Sequence, residues 1–247
     1  MNNVNHVPKQ VPGLQVLNAK QKQHIVENGI GKVMHEDLIK SEKKARMWGI
    51  FLAVGGAAMF LAFMTEETVS VIMLLMCAGC FLLGLFLIVS TFGKGRKVTE
   101  ERLQKSLVNL EKNYGNKETI FKEIESQMRP DWAVHVTEDG SYITRDWYIT
   151  KGYFNFVKIQ DISAVVGVMG KGTFVVTVHG DEFDDTYGGN PAWGLIVNLL
   201  METNPYILIR GDSVLMPDGR EVDVLDAYNA RAFEAIATSF LTRKQIF

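Results

Sequence analysis

Cys77 and Cys80 are the two cysteines of the chain, and their C-A-G-C spacing is that of a dithiol or metal centre. A reactive thiolate or a metal needs a polar, accessible setting, and no His, Asp or Glu shares the uncharged runs around them. They therefore read as small packing residues. The stretch from Gly167 to Thr173 evokes a phosphate loop, but Val165 stands where that loop needs glycine. Gly172 also stands where it needs Ser or Thr, so the stretch reads as a Gly-rich hairpin turn. The acidic run Asp181 to Asp185 offers oxygen ligands to a divalent cation, yet Phe183 breaks the calcium-loop spacing. It reads as a solvated strand edge. His6, His24, His35, His135 and His179 are scattered, with no H-x-x-x-H or H-E-x-x-H spacing, although His135 and His179 fall in predicted strands that could meet across a sheet. No catalytic residue, metal site or cofactor is expected.

The elements that must position these residues begin with two apolar runs. Residues 47–64 and 69–92 carry no charge, and each is long enough to span about 30 Å of hydrocarbon as a helix. Thr65 to Thr68 form a turn too short for a domain, so the two runs predict an antiparallel hairpin with both flanks on one side. Those flanks carry Lys40, Lys43, Lys44 and Arg46 before the first run, and Lys94, Arg96 and Lys97 after the second. The turn holds Glu66 and Glu67. The positive-inside bias then predicts a multi-pass plasma-membrane protein with both termini cytoplasmic. Lys43, Lys44, Arg46, Lys94, Arg96 and Lys97 are the expected membrane-surface contacts, with Trp48 as an interfacial anchor and Trp132 as a weaker one. A cleavable signal peptide is not expected, because 46 mostly polar residues precede the first run.

Small residues mark the helix-packing face. Gly49, Ala53 and Ala57 recur every four positions in the first run, and Cys80 and Gly84 do so in the second. Such faces serve either a homodimer seam or packing of the hairpin on itself, and the second helix's need to pack somewhere favours the latter. Gly55 and Gly56 are read as local looseness. No ionisable residue lies inside either run, which argues against a proton relay, pore or transport site.

Regional charge separates the rest of the chain. Net charge is +4 over 1–46, −2 over 47–92, +3 over 93–129 and −7 over 130–247, against −2 for the whole. The acidic C-terminal region argues against nucleic-acid binding. Residues 1–46 read as a cytoplasmic N-terminal segment, with a flexible lead to Leu14 and a polar helix capped by Asn18 and interrupted at Gly29 and Gly31. Residues 93–129 read as a helical linker, broken near Tyr114-Gly115-Asn116. After Pro130 the pattern changes to short β-rich runs, then a helix opening at Asn190-Pro191, an extended piece at 206–210, a Met216-Pro217-Asp218-Gly219 turn and a last helix over 222–240. The fold class expected is an α+β membrane protein, a transmembrane helical hairpin followed by an antiparallel β-sheet domain with C-terminal helices. Trp147, Tyr187 and Trp193 are candidates to line an apolar groove in that domain.

The run from Tyr142 to Gly167, YITRDWYITKGYFNFVKIQDISAVVG, resembles the opening of the small bacterial pleckstrin-homology-like (PH-like) domains that follow paired transmembrane helices in membrane proteins of uncharacterised function. A strand ends near Trp147-Tyr148-Ile149, a second runs from Phe154 to Ile159, and an Asp161-Ile162 step leads into a third. The resemblance covers roughly residues 130–205. It implies a cytoplasmic PH-like domain over 130–247 that serves protein contact or assembly, with the bilayer and a protein partner or second copy as its neighbours. Phosphoinositide binding is not expected of a region carrying −7 beside an anionic leaflet. Two rival readings stand beside this one: a membrane-associated enzyme or ligand sensor with its site in the C-terminal domain, and an accessory subunit of a larger membrane complex.

Overall fold

The computed structural model describes residues 13–63, 71–91, 94–137, 140–150, 155–169, 172–185 and 193–246. The Glu66-Glu67 turn, Tyr187, Asn190-Pro191 and the centre of the Gly-rich turn, Gly170-Lys171, lie outside the described residues. The chain divides into two compact units, residues 31–105 and residues 1–30 with 106–247. The apolar hairpin is thus an insertion in the sequence of the other unit. Residues 13–30, which precede the hairpin, fall in the same unit as the β-rich region.

In the hairpin unit, α2 (Ile30–Phe63) is a 34-residue helix and α3 (Val71–Thr91) a 21-residue one. Gly31 does not interrupt α2 as the sequence predicts. Both helices are long and apolar enough to cross a membrane, over Lys43–Phe63 and Val71–Ser90. Nearly all their large side chains face outward, with Phe51 68%, Leu61 67%, Val71 70% and Phe86 67% exposed. A core helix of a water-soluble domain would bury those groups.

The second unit is built from β strands threaded by long-range pairing. A five-stranded antiparallel sheet runs in the order β1 (Leu14–Val16), β2 (His135–Thr137), β3 (Tyr142–Ile143), β4 (Trp147–Thr150), β5 (Asn155–Lys158). Leu14 pairs with Thr137 and Val16 with His135, so the stretch read as the end of a flexible lead is an edge strand. After a 3-10 turn at Ile159–Asp161, a three-stranded sheet follows in the order β6 (Ile162–Val168), β7 (Gly172–Thr177), β8 (Glu182–Asp185). The helix α6 (Trp193–Thr203) comes next, then the hairpin of β9 (Ser213–Leu215) and β10 (Glu221–Asp223). The last predicted helix is two, α7 (Val224–Asn229) and α8 (Phe233–Ile246). Arg231, the one non-glycine at positive φ among the described residues, lies in the link between them.

β6 is buried on both faces. Ile162 and Val165 pack with Val175, Tyr148, Ile196 and Leu200, whereas Ala164 and Val166 pack with Val176, Val214, Val224, Ile236 and Phe240. Strict alternation would send Ile162 and Val165 to opposite faces, and the register shift between Ile162 and Ala164 restores them to one. The second face is covered by β9, β10, α7 and α8, whose Ile236 and Phe240 are fully buried, each burial stabilising by about 1.5–3 kcal/mol. Fully buried Asn204 donates its amide to Ile159 O (2.8 Å) and Ile162 O (3.2 Å), tying the end of α6 to the turn between the sheets.

Candidate functional site

A set of polar and aromatic contacts gathers where α4 (Lys94–Tyr114) ends and α5 (Lys117–Ser126) begins. Gly115 takes φ +90°, open to glycine at no steric cost, and Asn116 then caps α5 by accepting from Thr119 N at 3.1 Å. This turn seats the last residues of α4 on the sheet. The Tyr114 ring meets Trp147 edge-on at 5.1 Å and His179 at 5.5 Å. Its hydroxyl accepts from Lys158 N (3.3 Å) and hydrogen-bonds Asp161. Burial pushes the Tyr114 phenol well up, the Asp161 charge pushes the same way, and the Lys158 N–H pulls it down. It stays protonated, as a donor to the carboxylate must. Asp161 also lies 3.8 Å from His179 Nε2, and Asn113 donates to Asp181 at 2.6 Å.

Two of the carboxylates on α5 work in different directions. Glu123 accepts from Trp147 Nε1 at 3.0 Å and lies 3.1 Å from Lys158 Nζ, which sits 5.1 Å above the Trp147 ring. Glu125 accepts from Ile30 N at 2.9 Å, capping the first turn of α2. Two residues apart on a helix means about 200° of rotation, so the two carboxylates leave opposite sides of α5. Ile120 and Ile124 between them are buried. Beside this joint, the Lys22 ammonium of α1 (Ala19–Asn28) is buried and donates to Arg129 O (2.9 Å) and Trp132 O. Burial lowers the Lys22 pKa, against the opposing pull of Asp131. Gln127 closes the far end of α5 by accepting from Thr144 Oγ1 and Asp146 N while donating to Asp146. This arrangement holds α1, the first residue of α2, the last residues of α4 and the first sheet around one short helix.

Of the residues singled out in the sequence, Gly49, Ala53 and Gly84 do come together within the hairpin unit. A Cβ on Gly84 would stand 2.6 Å from Gly49 O and 2.9 Å from Ala53 Cα. The other close approach is at Gly56, where a Cβ would meet Cys77 O and Phe81 N at 2.9 Å. Ala57 and Cys80 are half-buried beside it. The touching pairs Gly49 with Gly84 and Gly56 with Cys77 are seven residues apart on each helix, a heptad spacing that a search for four-residue repeats passes over. Gly56 is therefore a contact residue rather than local looseness. Lys43, Lys44 and Trp48 are exposed, with Arg46 half-buried, and Trp48 meets Phe51 edge-on at 5.9 Å. Lys94, Arg96 and Lys97 fall on α4, their side chains outside the described set.

Trp147 does not line a groove, because it is fully buried under Tyr114 and Lys158. The Trp193 side chain and all of Tyr187 lie outside the described residues. His135 and His179 make separate contacts: His179 sits against Tyr114 and Asp161, and His135 feels the charge of Glu202. Among the described residues no three His, Cys, Asp or Glu gather as a metal site, and both cysteines are free thiols. Sequence reasoning missed Glu125, Lys22 and Tyr114, whose partners lie far along the chain; the signals on hand were the Gly29 break and the Gly115-Asn116 turn.

Comparison with known proteins adds no relative: no family model matches the chain, and neither a curated protein nor a solved structure does.

Proposed function

We propose that this chain is a membrane-anchored interaction or assembly module, in which the α2–α3 hairpin enters the bilayer and a PH-like domain is presented at its cytoplasmic face. The observation that carries this reading is the pairing of β1 with β2. Residues 14–16 precede the first apolar helix and residues 135–137 follow the second, and one sheet holds both. A chain that crosses a bilayer between them must cross it twice and return, which agrees with the topology that the basic flanks select. Two antiparallel meanders followed by the helix α6 agree with the PH-like resemblance. The polar groups of the α4–α5 joint are engaged in holding elements together, a positioning role suited to a module that presents a surface.

The test is purification of the full-length protein from native membrane in mild detergent, with its mass measured by light scattering and its co-purifying proteins identified. A defined oligomer or a stoichiometric partner supports the module. A lone monomer that retains a small molecule overturns it in favour of an enzyme or ligand sensor.

A further inference from the structure

We propose that the outward side of α2 holds one anionic phospholipid, with its phosphate on Lys40 and Lys44 and an acyl chain in the groove below them. This rests on the reading of α2 as a membrane helix. Met47, Trp48 and Phe51 line an apolar groove of about 240 Å³ on that helix. All three side chains are exposed, and Trp48 stands edge-on to Phe51 at 5.9 Å. At about 100° per residue, Lys40, Lys44 and Phe51 fall within about 40° of one another around the helix, and Lys44 stands about one turn before Met47 and Trp48. Both lysines are exposed. Gly49, Ala53 and Gly56, which meet α3, lie about 140–160° away, so the groove is on the side turned from the partner helix.

Cations and groove stand in the order in which a phospholipid presents its phosphate and its chains. Lysine stems run along apolar surface and carry the ammonium to the headgroup level, where it meets phosphate. The apolar span begins at Lys43, so Trp48 lies about 7 Å into it, at the boundary where indoles collect. Beyond Phe51 the same side of α2 carries Gly55, Ala58 and Ala62, and a Cβ at Gly55 would meet nothing within 4 Å. From Phe51 to Ala62 this gives a shallow path of about 16 Å that an acyl chain can follow. Charge selects a lipid over a second copy here. Two parallel copies meeting on this side by twofold symmetry would set Lys40 and Lys44 of each against those of the other, a repulsion that a lipid phosphate removes. The nearest acids on this arc, Glu36 and Asp37, stand about two turns beyond Lys44, and Glu36 lies 3.9 Å from Lys32.

The full-length protein in phosphatidylcholine nanodiscs tests this. A minor share of the lipid is replaced by phosphatidylglycerol or by phosphatidylcholine with brominated acyl chains, and Trp48 emission is taken as the difference between wild type and Trp48→Phe. The expected result is about threefold more quenching of Trp48 by the brominated phosphatidylglycerol, the enrichment that a lysine gives an anionic headgroup. Lys44→Gln loses most of that excess, whereas Lys43→Gln, which removes the same charge about 100° around the helix, keeps it. Gly55→Leu fills the path of the chain at unchanged charge and also loses the excess. Equal quenching by the two brominated lipids overturns the site alone. Equal loss in Lys43→Gln and Lys44→Gln does the same, because it marks diffuse attraction to the surface charge. A Trp48 that neither lipid reaches, in a protein of dimeric mass, overturns the site in favour of a second copy. A chain that fails to enter the nanodiscs overturns the membrane reading, and the site with it.

Discussion

Gly84→Ala adds one methyl group at the tightest place in the hairpin. Its Cβ would lie 2.6 Å from Gly49 O and 2.9 Å from Ala53 Cα, and it would also press on Ala53 N. Carbon meets carbonyl oxygen at about 3.3 Å or more, so the two helices must part by roughly 0.7 Å there. The atoms that obstruct it are backbone, which cannot rotate away as a side chain would. Parting the helices also loosens the second touch point, Gly56 on Cys77, seven residues along each helix. Overpacking of this kind costs about 1–3 kcal/mol. For a chain of this size that lowers the melting temperature by about 2–12 °C.

Gly79→Ala is the matched control, because a Cβ at Gly79 meets nothing within 4 Å. It adds the same methyl to the same helix, and replacing a helical glycine by alanine gains up to about 1 kcal/mol of helix propensity. The assay is the thermal loss of the monodisperse peak of the detergent-solubilised protein on size exclusion, for wild type and both variants. Gly84→Ala is expected to melt below wild type and Gly79→Ala at or above it. Equal melting of the two variants would refute the packing of α2 against α3 through these glycines.

Other outcomes follow from the β-rich unit. Tyr114→Phe keeps the ring on Trp147 but removes the hydroxyl from Asp161 and Lys158 N, and is expected to cost about 1–2 kcal/mol in denaturant unfolding with Trp147 emission as the probe; an unchanged midpoint would sink the joint described above. Lys22→Ala leaves the carbonyls of Arg129 and Trp132 without their donor and is expected to destabilise by about 1–3 kcal/mol, measured by the same unfolding curve. His135 carries a pH dependence. Burial lowers its pKa in the folded state, with Glu202 opposing, so the unfolded chain takes up the proton first as pH falls below about 6.5. Stability is therefore full above that pH and is lost as pH drops toward the depressed folded value. The melting temperature of wild type is expected to fall more between pH 7.5 and 5.5 than that of His135→Gln, and equal falls would count against a half-buried, neutral imidazole.

Residue types alone settled whatever depends on neighbours along the chain. Two uncharged runs bounded by charge must be long apolar helices, since no other local structure satisfies their backbone, and both stand where the composition puts them. Runs of Val, Ile, Tyr, Phe and Trp put strands at Trp147-Tyr148-Ile149 and after Asp161-Ile162, where β4 and β6 stand, and Asn18 begins its helix as a capping residue does. Leu14–Val16 could not be read as a strand, because three residues carry too little pattern and the partner, β2, lies about 120 positions on. Lys22 looks like any lysine on a polar helix until the carbonyls of Arg129 and Trp132 close over it. Trp147 shows an aromatic residue suited to a groove, and only the arrival of Tyr114 and Glu123 from helices α4 and α5 buries it. The contact made by Gly56 depends on which face of α2 meets α3, and that is decided where two backbones touch rather than by the spacing on either helix. Propensity, capping and hydropathy act over a few residues and are written in order along the chain. Burial and close approach need both partners in place, and here one unit is made from two stretches that the apolar hairpin separates.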